Sequence, residues 1–221
     1  VGSVARDVIP PDAIGYVANP PYPYDPAGAR RLLEAHGWRL GANGIREKNG
    51  ERLDFVYYTV AGGATGNATA VQVQAWLRKI GIGVTLKPSP YNQIFSFDGP
   101  VEAGTYDFAA YSYTLPWDPD NLTYLGCDQF PHAGQNVFRY CDASVDAGER
   151  RGLLVDNPRE RAAIYAPVER RIRETVPFIP IYLARRVVAH IDGLQHYTVA
   201  PSIAQWWNAW EWDLNGASAR R

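Results

Sequence analysis

Methionine is missing from all 221 residues, so the chain is expected to be a processed or excised piece of something longer. Lysine is scarce: only Lys48, Lys79 and Lys87 accompany the arginines, a bias that decides nothing about function. Neither sign of charge is in excess, with 22 Lys and Arg against 23 Asp and Glu, so nothing marks a nucleic-acid or anionic-membrane surface. Apolar stretches such as Phe178–Ala184, which contains a proline, fall well short of the ~20 residues of a membrane span. Val1–Pro11 lacks the basic-then-apolar order of a secretion signal. Cysteine is limited to Cys127 and Cys141. Such a pair either closes a short disulfide, which goes with an oxidising compartment, or stays as two thiols; the disulfide is the expectation.

Catalytic signatures are also thin. His36, His132, His190 and His196 are scattered, and neither GxSxG nor HExxH occurs. A metal held by Cys127, His132 and Cys141 would lack a fourth local ligand, so no metal and no cofactor are expected. Asp118 and Asp120 in DPDN form a close carboxylate pair, but that sequence is also a turn or helix cap. Capping is the expected role, with ligand contact as the alternative.

What is present is an α/β pattern. A proline-rich arm leads to a helix capped by Asp25, with Pro26 in its first turn and Gly37 at its end. Asn43-Gly44 and Asn49-Gly50 mark turns, and Leu53–Val60 has strand composition. A flexible loop is expected at Gly62–Gly66. A helix from about Ala68 to Ile80 follows, with Val71, Ala75 and Leu77 as its apolar stripe, and then a strand at Ile82–Leu86. Tyr106–Tyr113 is expected as a buried strand that opens onto the loop TLPWDPDN; strand-end loops are where α/β sheets place ligands. Pro158 starts a helix to about Thr175, and strands are expected at Ile179–Ile191 and Ala204–Trp212.

Aromatics are the positive signal, with 7 Trp and 14 Tyr against 7 Phe. Rings with a polar handle stack on organic ligands and also hydrogen-bond to them. Tyr111, Tyr113, Trp117 and Tyr124 gather around the strand-end loop. Trp206, Trp207, Trp210 and Trp212 crowd the C-terminal end, where an aromatic strand buried against another sheet is expected.

These pieces, in order, resemble one family. They are YPYDPAGARRLLEAHGW at Tyr22–Trp38, NGIREKNGERLDF at Asn43–Phe55, VQAWLRKIGIGVTL at Val73–Leu86, GTYDFAAYSY followed by DPDN, QNVFRYCDASVD at Gln135–Asp146 and VPFIPIY at Val176–Tyr182. The chain is similar to the family 5 extracellular solute-binding proteins of ABC transporters, the oligopeptide, dipeptide and nickel binders. The resemblance implies a mixed sheet flanked by helices, forming one lobe of a two-lobed, hinged, type II periplasmic-binding-protein-like molecule. Residues 1–183 would be the second lobe, and 184–221 a return segment packed on a first lobe. It implies capture of an oligopeptide-like solute, delivery to a membrane permease and an extracytoplasmic location, with lipid anchoring in many members.

Peptide-binding members carry an aspartate three residues before the DP turn, where it receives the peptide ammonium; here that position is Leu115. Either Asp118 or Asp120 replaces it, or the solute is an oligosaccharide or other neutral molecule. The expected ligand-facing residues are Tyr113, Trp117, Asp118 and Asn121, with Asn136 on a loop held by Cys127–Cys141. Without a first lobe, Trp206, Trp210 and Trp212 are expected to drive self-association. A secreted glycoside hydrolase is the alternative from another class.

Overall fold

The computed structural model describes residues 2–112, 118–184, 187–199 and 205–214. As far as they are described, these residues form two compact units: one of Pro21–Tyr113 and Thr123–Cys141, the other of Val1–Pro20, Thr114–Leu122 and Asp142–Arg221.

In the first of these units, α1 (Pro26–Ala35) begins where the Asp25 carboxylate accepts the Gly28 N–H at 2.7 Å. A three-stranded antiparallel sheet follows: β2 (Arg39–Leu40), β3 (Arg46–Lys48) and β4 (Glu51–Arg52). Asn49 (φ 52°) and Gly50 (φ 84°) both take positive φ between β3 and β4, as the Asn-Gly pair anticipates for a tight hairpin. Buried Arg46 donates to the Ile80 carbonyl at 2.8 Å, the Trp38 carbonyl at 2.9 Å and Glu34 at 2.8 Å, joining three segments through one guanidinium.

β5 (Asp54–Val60), the crossover helix α2 (Ala64–Arg78) and β6 (Gly83–Ser89) form a parallel β–α–β unit, and β7 (Phe108–Ala110) pairs in parallel with the other side of β5. The strand order is β6-β5-β7. Three expectations need correction here. The glycine stretch is not all loop: the Asn67 N–H reaches the Gly63 carbonyl at 3.0 Å, so the helix starts at Ala64 and takes in Gly66. The inward stripe of α2 is Ala70, Val73 and Leu77, whereas Val71 is 54% exposed. β7 is also shorter than expected, because it pairs only with Tyr57–Thr59; Tyr113 lies outside the described residues. Two short helices, α3 (Tyr91–Ile94) and α4 (Pro100–Ala103), follow β6. Helix α5 (Leu122–Leu125) carries the chain across the boundary between units.

The other unit is built on α6 (Ala143–Gly152) and α7 (Pro158–Thr175). Side-chain caps start both helices: Asp142 accepts from Ser144 and Val145, and Asn157 accepts from Arg159 and Glu160. β1 (Gly2–Val4) pairs antiparallel with β8 (Tyr182–Ala184), and β9 (Leu194–Gln195) with β10 (Asp213–Leu214). Among the described residues of the stretch expected at Ile179–Ile191, regular strand is confined to Tyr182–Ala184. Pro177 and Pro180 supply no N–H to a ladder, and Val187 is 91% exposed.

The expected tryptophan strand is a turn followed by one 3-10 turn at Ala209–Glu211; Ala204 lies outside the described residues. The cause is Asn208, which is fully buried. Its amide donates to the His196 carbonyl at 2.7 Å and to Glu211, and its carbonyl accepts the Trp212 indole N–H at 2.9 Å. Trp206 and Trp210 are 68% and 75% exposed, so neither is buried against a sheet.

Helices α6 and α7 touch closely enough that a Cβ on Gly152 would run into the Tyr165 ring. Gly152→Ala is therefore expected to destabilise the fold. Overpacking costs about 1–3 kcal/mol, only partly offset by about 1 kcal/mol of helix propensity. Denaturant unfolding of the two proteins measures the difference.

Candidate functional site

Parallel pairing brings the carboxyl ends of β5, β6 and β7 (Val60, Ser89 and Ala110) to one edge of the sheet. That edge is where open α/β sheets bind ligands. The chain leaves β5 through Ala61, whose N–H is held by the Ser89 carbonyl at 2.9 Å. It leaves β6 through Pro90 into α3, and β7 into Tyr111. The rings there form a ladder. Tyr91 stacks on Phe95 with centroids 4.6 Å apart, and Phe95 meets Tyr111 edge-on at 4.8 Å. Phe95 and Tyr111 pack on the buried Ile94, Val101 and Val137, while Tyr91 is 60% exposed. The ladder is thus anchored in the core at one end and open at the other, an arrangement suited to stacking on an organic solute. Phe97, 71% exposed, adds a second pair with His132 at 4.0 Å.

The loop after α5 supports this platform. Cys127 and Cys141 are joined as a disulfide. Inside the loop, Asn136 is wholly buried. Its amide donates to the Gly126 and Tyr140 carbonyls at 2.9 and 2.7 Å, and its oxygen accepts the Tyr140 N–H at 3.2 Å. Tyr106 donates its hydroxyl to the Val137 carbonyl at 2.9 Å. Arg139 donates to the carbonyls of Glu102 at 2.6 Å and Val137 at 3.1 Å. Asn136 therefore organises the loop from within.

In the other unit, DPDN is a capping turn. Asp118 accepts the Asp120 N–H and Asp120 accepts the Leu122 N–H. Both Asp118 oxygens also take the Arg161 guanidinium, each at 2.8 Å, which holds Asp118 below the usual carboxylate range. Asn121 is buried; its side chain donates to the Pro119 carbonyl and its backbone N–H to Glu149 at 2.9 Å. Burial, reinforced by the nearby charges of Asp120, Asp118 and Asp146, pushes Glu149 up to about 8 despite that hydrogen bond.

Of the residues singled out from sequence, Asp118 and Asn121 come together, and Asn136 belongs to the other unit. Tyr113, Leu115 and Trp117 lie outside the described residues. Tyr91 and Phe95 were missed, although YNQIF follows the predicted strand Ile82–Leu86 after four residues and spaces its rings one helical turn apart. Among the described residues, no group of three His, Cys, Asp or Glu is placed to hold a metal.

Comparison with known proteins agrees with this architecture. Residues 1–131 match the family described as bacterial extracellular solute-binding proteins, family 5 middle. The chain is 28% identical over 213 residues to di/tripeptide-binding protein 2 of Pseudomonas aeruginosa, covering 92% of this chain and 37% of that protein. It is 24% identical over 196 residues to the oligopeptide-binding protein AppA of Bacillus subtilis, covering 86% and 36%. The chain thus spans little more than a third of these relatives. The solved structure of Bacillus subtilis AppA with a nonapeptide superposes with TM-score 0.82 at 23% identity, covering 96% of this chain and 42% of that one. NikZ of Campylobacter jejuni with Ni(L-His) gives TM-score 0.79 at 23% identity, covering 96% and 43%.

Replacing Asn136 by Ala removes three side-chain hydrogen bonds from a wholly buried position. A loss of about 3 kcal/mol is expected in denaturant unfolding, with the disulfide intact.

Proposed function

This chain belongs to the family 5 bacterial extracellular solute-binding proteins, and on that premise we propose that it forms part of the solute-gripping surface of an ABC importer's binding protein. The family consists of binding proteins rather than enzymes, which removes the hydrolase alternative. The observation that carries the reading is the aromatic ladder Tyr91–Phe95–Tyr111 at the carboxyl edge of the parallel sheet. Tyr113 and Trp117 follow β7 in the sequence and are further candidates for contact with the solute. The solute is oligopeptide-like, captured in a cleft between two hinged lobes and handed to a membrane permease outside the cytoplasm. Residues 1–183 act as the second lobe and 184–221 return to the first; the exposed Trp206 and Trp210 support this. The disulfide supports an oxidising, extracytoplasmic setting.

A second reading has its own support. Leu115 replaces the ammonium-binding aspartate, and both Asp118 oxygens are engaged by Arg161. That combination favours N-blocked peptides or neutral oligosaccharides over free-amine peptides.

A thermal-shift screen of the full-length polypeptide against free peptides, N-blocked peptides and oligosaccharides separates the two readings. A ligand at 100 times its dissociation constant adds about 2.7 kcal/mol of stability. Tyr91→Ala is expected to weaken the ligand found by roughly tenfold while leaving the unliganded melt nearly unchanged. An unchanged affinity overturns the ladder's role. In sedimentation, the 221-residue chain is expected to self-associate with rising concentration. Trp210→Ser is expected to shift it towards monomer.

A further inference from the structure

The platform beneath the ring ladder holds a residue in an uncommon conformation. Arg139 takes φ 49°, in the left-handed region that residues with a side chain seldom adopt. Its guanidinium lies across the end of α4. One nitrogen donates to the Glu102 carbonyl at 2.6 Å; the other donates to the Val137 carbonyl at 3.1 Å and, more weakly, to the Val101 carbonyl at 3.4 Å. Val101 and Glu102 belong to α4, a helix of one turn whose last carbonyls have no partner within the helix itself. A single turn is not stable alone, so α4 sits where its outside bonds hold it. Val137 belongs to the loop closed by the disulfide, and its carbonyl also accepts the Tyr106 hydroxyl at 2.9 Å. One planar fork therefore fastens α4 to that loop. Gly104, which ends α4 at φ 72°, makes room for it: a Cβ there would run into the guanidinium carbon.

We propose that Arg139 is a positioning residue for the ring ladder: it sets the separation of α4 from the disulfide-closed loop, and with it the floor under Phe95 and Tyr111. Val101 and Val137, whose carbonyls the fork holds, are two of the three buried residues on which these rings pack; the third is Ile94. Val101 is wholly buried. A close-packed floor does not stretch, so a shift of α4 away from the loop would open a gap beneath both rings and free them to tilt. Tyr91 stacks on Phe95 and follows its tilt. All these residues lie in one compact unit.

The role differs from that of Asn136. The Asn136 side chain bonds inside the loop, whereas Arg139 reaches out of it to a helix 37 residues earlier in the chain. Loss of Arg139 leaves the loop closed by its disulfide and by Asn136, but unfastened from α4. A lysine restores the charge without the fork, since an ammonium is a point donor that cannot span the carbonyls of two segments in one plane. The positioning of the ladder is independent of what the ladder binds; the effect on solute affinity rests on the solute-gripping reading above.

Fluorine NMR of the full-length polypeptide labelled with fluorotyrosine tests it, with the Tyr91 and Tyr111 signals assigned through Tyr91→Phe and Tyr111→Phe. Arg139→Met is expected to move both signals towards their positions in the denatured protein. Its affinity for free and N-acetylated tripeptides, measured by calorimetry, is expected to fall about twofold to tenfold, the worth of one ring pair. Arg139→Lys is expected to show a smaller displacement of both signals. Gly152→Ala, destabilising but in the other unit, is expected to leave them in place, which separates positioning from a general loss of stability. Unmoved signals in folded Arg139→Met overturn the proposal, as does an equal movement in Gly152→Ala. Should Arg139→Met fail to fold, Arg139→Lys decides by the same signals. Moved signals with unchanged tripeptide affinity, or no tripeptide binding by the wild type, uphold the positioning role and count against the peptide-gripping reading instead.

Discussion

Parallel pairing of β5 with both neighbours is the constraint from which the candidate site follows. Parallel strands cannot be joined by a tight turn, so the chain must cross over, and helix α2 is that crossover. Once β6 and β7 run the same way as β5, all three strands release their chain at one edge. The ring ladder is the local result: Tyr91 begins the helix after β6, Phe95 ends it, and Tyr111 follows β7. An antiparallel arrangement would have scattered these rings over both ends of the sheet.

The polar groups divide by task. Asn136, Asn208 and Asn121 lie inside loops and knot them with side-chain amides, whereas the exposed rings carry no such duty. Asp118 shows why an exposed carboxylate in a ligand-like motif is a poor guide to recognition by itself. Its two oxygens are occupied by a fork of guanidinium donors, and its turn is closed by backbone N–H groups. A cation arriving there would have to compete with Arg161.

Much of this was legible in the sequence, for local reasons. The Asp25-Pro26 start, the Asn-Gly hairpin and the α7 limits at Pro158 and Thr175 follow from backbone chemistry, which neighbouring residues fully specify. The C-terminal tryptophans misled because composition favours a strand while one buried amide, Asn208, ties the segment into a turn. The buried acids were also overlooked, although their positions carry a signal. Glu149 lies between Val145 and Gly152 on the inward stripe of α6, and Glu169 between Tyr165 and Ile172 on that of α7. A carboxyl at a core position of a helical period is a buried carboxyl, whatever its usual habit.

If the ring ladder grips a solute as proposed, the loop closed by Cys127 and Cys141 has a consequence for the kinetics of recognition. Its shape is held by a covalent bond and by an asparagine whose amide and carbonyl oxygen bond inside the loop, so the platform beneath the rings is already ordered in the unliganded molecule. A solute meeting that surface has little to reorganise, and the entropic penalty of association falls mainly on the solute's own freedom. Differences among solutes should then appear in how long each remains rather than in how fast each arrives. Discrimination by residence time is the behaviour of a rigid surface.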